Sequence, residues 1–163
     1  CVNGLLADLT DLDALQDIIT INEFQNTSNP FKLGTQTWND GRLRFLVAGY
    51  YFSGVDEIIH TIPESIGQLD DLRSLYLEWN HIQTLPDSFT NLTKLVNLYI
   101  SNNQLISLPE NFGDLESLFI ARFIFGSCCL SMMISIIFFI REIQISTKAL
   151  KLHLSDMDIQ FKE

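Results

Sequence analysis

Positive charge is scarce in this chain. Ten Lys and Arg stand against 20 Asp and Glu among 163 residues, for a net charge of −10. The deficit is uneven: residues 1–118 hold 16 acids and 5 bases, and the remainder is near +1. Such acidity repels phosphate backbones, which excludes nucleic-acid binding and reads as a solvated exterior. Cysteine is rare too. Cys1, Cys128 and Cys129 are the only three, and two of them are adjacent in an apolar run. That spacing is neither a zinc motif nor a disulfide framework. No initiating Met and no signal segment open the chain, so a fragment or a processed form is expected.

Catalytic constellations are also missing. No glycine-rich loop precedes Lys-Ser or Lys-Thr, which leaves no phosphate cradle. His60, His81 and His153 are isolated, and His81 has Gln104 as its counterpart one repeat later, so it reads as a solvated surface residue. Asp156 and Asp158 lack the Gly and Glu that a calcium loop needs. The expectation is a protein that is no enzyme, with no cofactor and no metal site.

What is present is a repeat. LDDLRSLYLEWNHIQTLPDSFTN, residues 69–91, is followed without a gap by LTKLVNLYISNNQLISLPENFGD, residues 92–114. Leu69, Leu72, Leu75, Leu77, Asn80, Ile82, Leu85, Pro86 and Phe89 recur one unit later as Leu92, Leu95, Leu98, Ile100, Asn103, Leu105, Leu108, Pro109 and Phe112. A fixed period of this length marks stacked units, none of which can bury its apolar side alone. Within each copy, x-Leu-x-Leu-x alternates as a half-buried strand does. The Asn that follows carries an amide able to donate to and accept from backbone groups that the turn leaves unpaired. Leu-Pro then turns the chain back, and Phe89 or Phe112 plugs the rear.

These residues resemble the leucine-rich repeat family, of the 23-residue type with a Leu-Pro-x-x-Phe/Ile rear half. The resemblance covers residues 42–120. It implies an α/β solenoid, a short right-handed arc with a parallel β-sheet on its concave face, to which the flanking residues add the expectation of an N-terminal helical cap and an apolar C-terminal helix.

The flanks fit this frame. In residues 1–41, Asp11 before Leu12, then Leu15, Ile18 and Ile19, has helical spacing, with Leu12, Leu15 and Ile19 on one face. Such a helix would cover the open end of the first repeat. The helix LDALQDII, a polar loop over 25–41, and then Trp38, Asp40 and Gly41 resemble the N-terminal region of extracellular plant-type and marine bacterial members of the family, without that cap's paired cysteines. Asn26-Thr27-Ser28 matches a glycosylation acceptor. Asn91-Leu92-Thr93 matches as well, but its Leu is expected to be buried. Counting back one period gives a worn first copy over 46–68, with Leu46, Gly49, Phe52, Gly54, Glu57, Ile59, Ile62, Pro63 and Ile66 at the key positions and Glu57 where Asn belongs. A broken copy starts at Leu115 and Leu118, then puts Ala121, Phe123 and Gly126 where Leu, Leu and Asn should stand.

Residues 121–163 differ in character. Residues 123–140 are uncharged and strongly apolar, bracketed by Arg122 and Arg141, and a polar tail follows. Three readings stand side by side: a membrane span at the lower limit of length, a buried segment capping the last repeat, and a mistranslated or chimeric C-terminus. For a span, Arg141, Lys148 and Lys151 place the repeats outside the cell and the tail inside.

The resemblance also locates a binding face. The x positions of the strands point out of the concave side: Ser74, Tyr76, Glu78 and Trp79 in one copy, and Asn97, Tyr99, Ser101 and Asn102 in the next, with Tyr51 and Ser53 from the worn copy. Tyr76 and Tyr99 share a column, as do Trp79 and Asn102. Exposed Tyr and Trp among polar neighbours have the composition of binding hot spots, and cross-strand packing is the alternative role for the tyrosines. Asn80 and Asn103 are structural ladder residues. The implied function is non-catalytic recognition of a protein or peptide, or of a glycan, in an extracellular or cell-surface setting. An intracellular scaffold or adaptor and a fragment of a longer array are the alternatives.

Overall fold

In a computed structural model of the chain, residues 7–49 and 57–122 are described. Residues 1–127 form one compact unit; the second, 128–163, lies outside the described residues, as does the expected apolar helix over 123–140. Among the described residues no helix is long and apolar enough to cross a membrane.

Helix α1 (Leu9–Ile21) begins at Asp8, whose carboxylate accepts from the Thr10 N–H at 2.9 Å. The expected start at Asp11 is therefore one turn late. Asp11 lies inside the helix and is fully buried. It accepts from Arg42 Nε and Nη2 at 3.1 and 2.8 Å and from the Leu43 N–H at 2.7 Å. The buried face is Ala14, Leu15, Ile18 and Ile19, while Leu12 is only half-buried. Asn22 ends the helix. Its amide donates to Ile18 O and Thr61 O at 2.8 and 2.9 Å, and its oxygen accepts from the His60 and Thr61 N–H groups at 2.8 and 2.9 Å. One side chain thus closes the helix and fastens it to the rear of the first repeat.

Strand β1 (Thr35–Asn39) runs through the stretch expected to be loop and pairs antiparallel with β2 (Arg42–Val47). The turn is Asp40-Gly41, with φ of +50° and +79°. Two successive positive φ values suit a two-residue hairpin, and Asp-Gly is among the pairs that adopt it at least cost. From β2 onward the sheet is parallel, through β3 (Ser74–Tyr76), β4 (Asn97–Tyr99) and β5 (Ile120–Arg122).

Leu75 faces Leu98 across β3 and β4, and both are fully buried. With Leu72, Leu77, Leu95 and Ile100 they form a continuous apolar layer behind the sheet. Each such side chain contributes about 1.5–3 kcal/mol by leaving water. After Ile62-Pro63, Leu85-Pro86 and Leu108-Pro109, short 3-10 segments at Glu64–Gln68, Asp87–Asn91 and Phe112–Asp114 make the return path, burying Ile66, Phe89 and Phe112 respectively. The Phe89 and Phe112 rings lie 6.3 Å apart, nearly parallel.

The first repeat corrects the count. The partner of Leu75 on β2 is Leu46, not Phe52. Leu43, Leu46 and Ala48 fill the places that Leu72, Leu75 and Leu77 hold in the next repeat. The rear half nonetheless keeps the regular period, because Ile59 donates to Asn80 as Ile82 donates to Asn103. The step from Leu46 to Leu75 is longer by six than the step from Leu75 to Leu98. The front half is therefore well formed but displaced by an insertion between strand and return. The broken last copy still supplies a strand, since Ala121 takes the register place opposite Leu98.

Candidate binding face

Two sets of side chains define the sheet's two faces, and the ladder asparagines fix the distance between strands. Asn80 Nδ2 donates to Ala48 O and Leu77 O, both at 3.1 Å, and Oδ1 accepts from the Ile59 N–H at 2.9 Å. Asn103 repeats this with Leu77 O at 2.8 Å, Ile100 O at 3.0 Å and the Ile82 N–H at 3.0 Å. Each amide joins the end of its own strand to the preceding repeat, and both side chains are buried.

Glu57, in the slot where Asn was expected, does part of the same work for the cap. Its carboxylate accepts from the backbone N–H groups of Gln25, of Asn26 at 3.0 Å and of Thr27 at 3.1 Å. Partial burial works to raise its pKa, but these donors outweigh it and hold the carboxyl below its ordinary range. A carboxylate accepts without donating, which suffices for a loop that presents only N–H groups.

With the strands held this way, alternate residues project from the solvent face of the sheet. Thr35, Val47, Tyr76 and Tyr99 form one row; Thr37, Phe45, Ser74 and Asn97 form the next. The Tyr76 and Tyr99 rings stack, with centroids 4.4 Å apart and planes 8° from parallel. Phe45 extends the aromatic run, tilted against Tyr76 at 5.4 Å. Asn97 Nδ2 donates to Ser74 Oγ at 2.9 Å. Burial, aided by the neighbouring Tyr99 and by the Glu78 charge, pushes the Tyr76 phenol above its ordinary pKa.

Beside these rings lies a groove of about 400 Å³, lined by Thr35, Phe45, Val47, Gly49, Tyr76 and Glu78. Gly49 is required here, because a Cβ on it would come within 2.6 Å of Glu78 O.

Trp79 and Asn102 share a less common backbone state, with φ of +61° and +57°. Asn tolerates this left-handed region, whereas a bulky aromatic rarely occupies it. Trp79 is nevertheless 43% exposed, and its backbone N–H donates to Ser101 O at 3.1 Å.

The structure thus brings Ser74, Tyr76, Glu78, Asn97 and Tyr99 together on one face, with Trp79 and Asn102 at its edge. Ser101 is a correction: only 2% of it is exposed, so it belongs to the interior. Tyr51 and Ser53 lie outside the described residues, and the columns assigned to them are held by Phe45 and Val47, respectively. Counting back by a fixed period missed these two. The signal that would have found them is Leu43-x-x-Leu46-x-Ala48, the strand motif itself, read without assuming a constant spacing.

Other candidates are less organised. His60 and His81, isolated in sequence, pack edge to face at 5.2 Å. Among the described residues no group of three or more His, Cys, Asp or Glu could hold a metal ion. Asn26 is exposed, whereas Leu92 of the second acceptor match is fully buried.

Two of three comparisons with known proteins find matches. The family model described as "Leucine Rich Repeat" matches residues 71–92 and 94–115. The crystal structure of the LRR ectodomain of the receptor kinase SOBIR1 from Arabidopsis thaliana is similar at 26% identity and a TM-score of 0.52, over 72% of this chain and 67% of that one. No curated protein sequence matches.

Proposed function

We infer that this chain, a leucine-rich repeat protein with a general binding role, is a non-catalytic recognition module. Its repeats make a short right-handed solenoid arc, and a protein or peptide partner sits on the concave side of the sheet. The contact set is Ser74, Tyr76, Glu78, Trp79, Asn97, Tyr99 and Asn102, joined by Phe45 and Val47. Likeness to a receptor-kinase ectodomain supports placement at the cell surface.

The observation that carries this reading is Trp79. It holds a left-handed backbone state at a position where the next repeat has Asn102. That state costs a non-glycine residue about 1–2 kcal/mol. Asn tolerates that state more readily than a bulky aromatic does. A large exposed aromatic in that backbone state, three residues along the chain from Tyr76, has the character of a binding anchor.

The test uses binders selected on the full chain from displayed peptide and protein-domain libraries. Trp79→Ala and Tyr99→Ala each weaken those binders by about tenfold or more, the ordinary loss for an aromatic hot spot. Both variants keep their stability within about 1 kcal/mol of the parent. Unfolding of both variants, or binders that ignore both changes, would remove the face from consideration.

A further inference from the structure

We propose that the groove between β1, β2 and β3 receives a Lys or Arg side chain of an extended peptide segment, with Glu78 as its counter-charge. This rests on the reading of the sheet's exposed face as the binding surface and names the chemistry that face selects.

Three features converge. The walls are apolar: Phe45 and Val47 on β2 and the ring of Tyr76 on β3 line most of the cavity. Glu78 supplies the one carboxylate among the described lining residues, and no base is among them. Thr35 adds a neutral rim on β1. Arg122 takes the register position of Tyr76 two strands away, on β5. The ion pairs of the described residues engage Asp11, Asp70 and Asp71, so none of them draws on Glu78.

A slot with mostly apolar walls and one acid among them suits a side chain with an aliphatic stem and a cationic tip. The stem of Lys or Arg covers apolar surface while its head stays near charge and water. A cation over the Tyr76 or Phe45 ring gains further from the negative ring face. The volume, about 400 Å³, is near the lower end for ligand sites, which suits a few side chains rather than a folded domain. Net charge of the same sign reinforces the choice, because a chain at −10 attracts basic segments and repels acidic ones. An acidic peptide or a polyanionic glycan would meet repulsion both at long range and in the slot.

The experiment pans the full chain against a phage library of short random peptides and resynthesises the selected sequences. Lys or Arg is enriched at one position of those sequences. Replacing that residue by norleucine or citrulline weakens binding by about tenfold, and added salt does the same in part. Glu78→Gln abolishes the difference between the charged and neutral peptides, whereas Glu78→Asp, which keeps the charge, preserves it. Because the comparison is between two peptides on one variant, a folding defect is separated from loss of recognition.

Neutral or acidic selected peptides that still depend on Trp79 and Tyr99 overturn the cation slot and leave the face intact. Selected peptides indifferent to Trp79→Ala and Tyr99→Ala overturn the face itself. Failure to select any peptide, or capture of neutral oligosaccharides on the same face instead, overturns the peptide as occupant.

Discussion

Asn103→Ala removes a side chain that is 8% exposed and holds backbone groups of two repeats. Their losses are unequal. The Ile82 N–H loses its acceptor at 3.0 Å and is left buried, which costs about 1–3 kcal/mol. Ile100 O loses a donor at 3.0 Å, worth about 0.5–1.5 kcal/mol net. Leu77 O is partly spared, because Asn80 Nδ2 still donates to it at 3.1 Å. The sum is about 3 kcal/mol, a large share of the roughly 5–15 kcal/mol that holds a domain folded. In urea, with a slope of about 1.5 kcal/mol/M, the unfolding midpoint falls by about 2 M. Amide exchange at Ile82 speeds up while Leu15 in α1 follows only the global change. Asn103→Asp is at least as damaging, since its carboxylate keeps the Ile82 bond but confronts two carbonyl oxygens. A midpoint within about 0.3 M of the parent, with unchanged exchange at Ile82, would refute the ladder as the link between repeats.

Trp79→Asn copies the next repeat into this one and relieves a left-handed backbone strain, so thermal unfolding shows a gain of about 1 kcal/mol alongside lost partner binding. Glu57 contributes a pH dependence of known sign. Its folded-state pKa is depressed, so its stabilisation is present above the ordinary carboxyl range and disappears as pH falls through the folded value. Acidification therefore speeds exchange at the Gln25, Asn26 and Thr27 amides, and Glu57→Gln shows fast exchange at those amides already at neutral pH. Asp11→Ala leaves the Leu43 N–H without that acceptor and Arg42 without its buried partner, at on the order of 3 kcal/mol in urea unfolding.

The parts of the fold that were legible in the sequence are those where packing forces a spacing. Leu75 and Leu98 must meet their equivalents one repeat away, so the period survives in the residue pattern. Asn80 and Asn103 must satisfy buried backbone groups, so their identity survives too. Periodicity fails where the chain changes length. The insertion after β2 left Ile59, Ile62 and Ile66 in step but moved Leu46 into the place assigned to Phe52. Phe45 and Val47 on the proposed face were hidden by the same shift. β1 escaped because its residues alternate only weakly, TQTWN, although Asp40-Gly41 marked the hairpin. Asp11 was misread for another reason: its partners, Arg42 and the Leu43 N–H, lie far away in sequence, and nothing local distinguishes an acid that caps a helix from one that accepts across the fold. Tyr76 and Tyr99 were placed correctly because a strand pairs equal positions of equal repeats.

The proposed face and its slot both depend on β3 and β4 lying side by side in parallel. Methyl-labelled NMR tests this through the cross-relaxation between Leu75 and Leu98, which are opposite each other in register and fully buried. A strong Leu75–Leu98 methyl contact, accompanied by ring contacts between Tyr76 and Tyr99, is the predicted result. Leu75 in contact with other residues and silent toward Leu98 would contradict the account at its base.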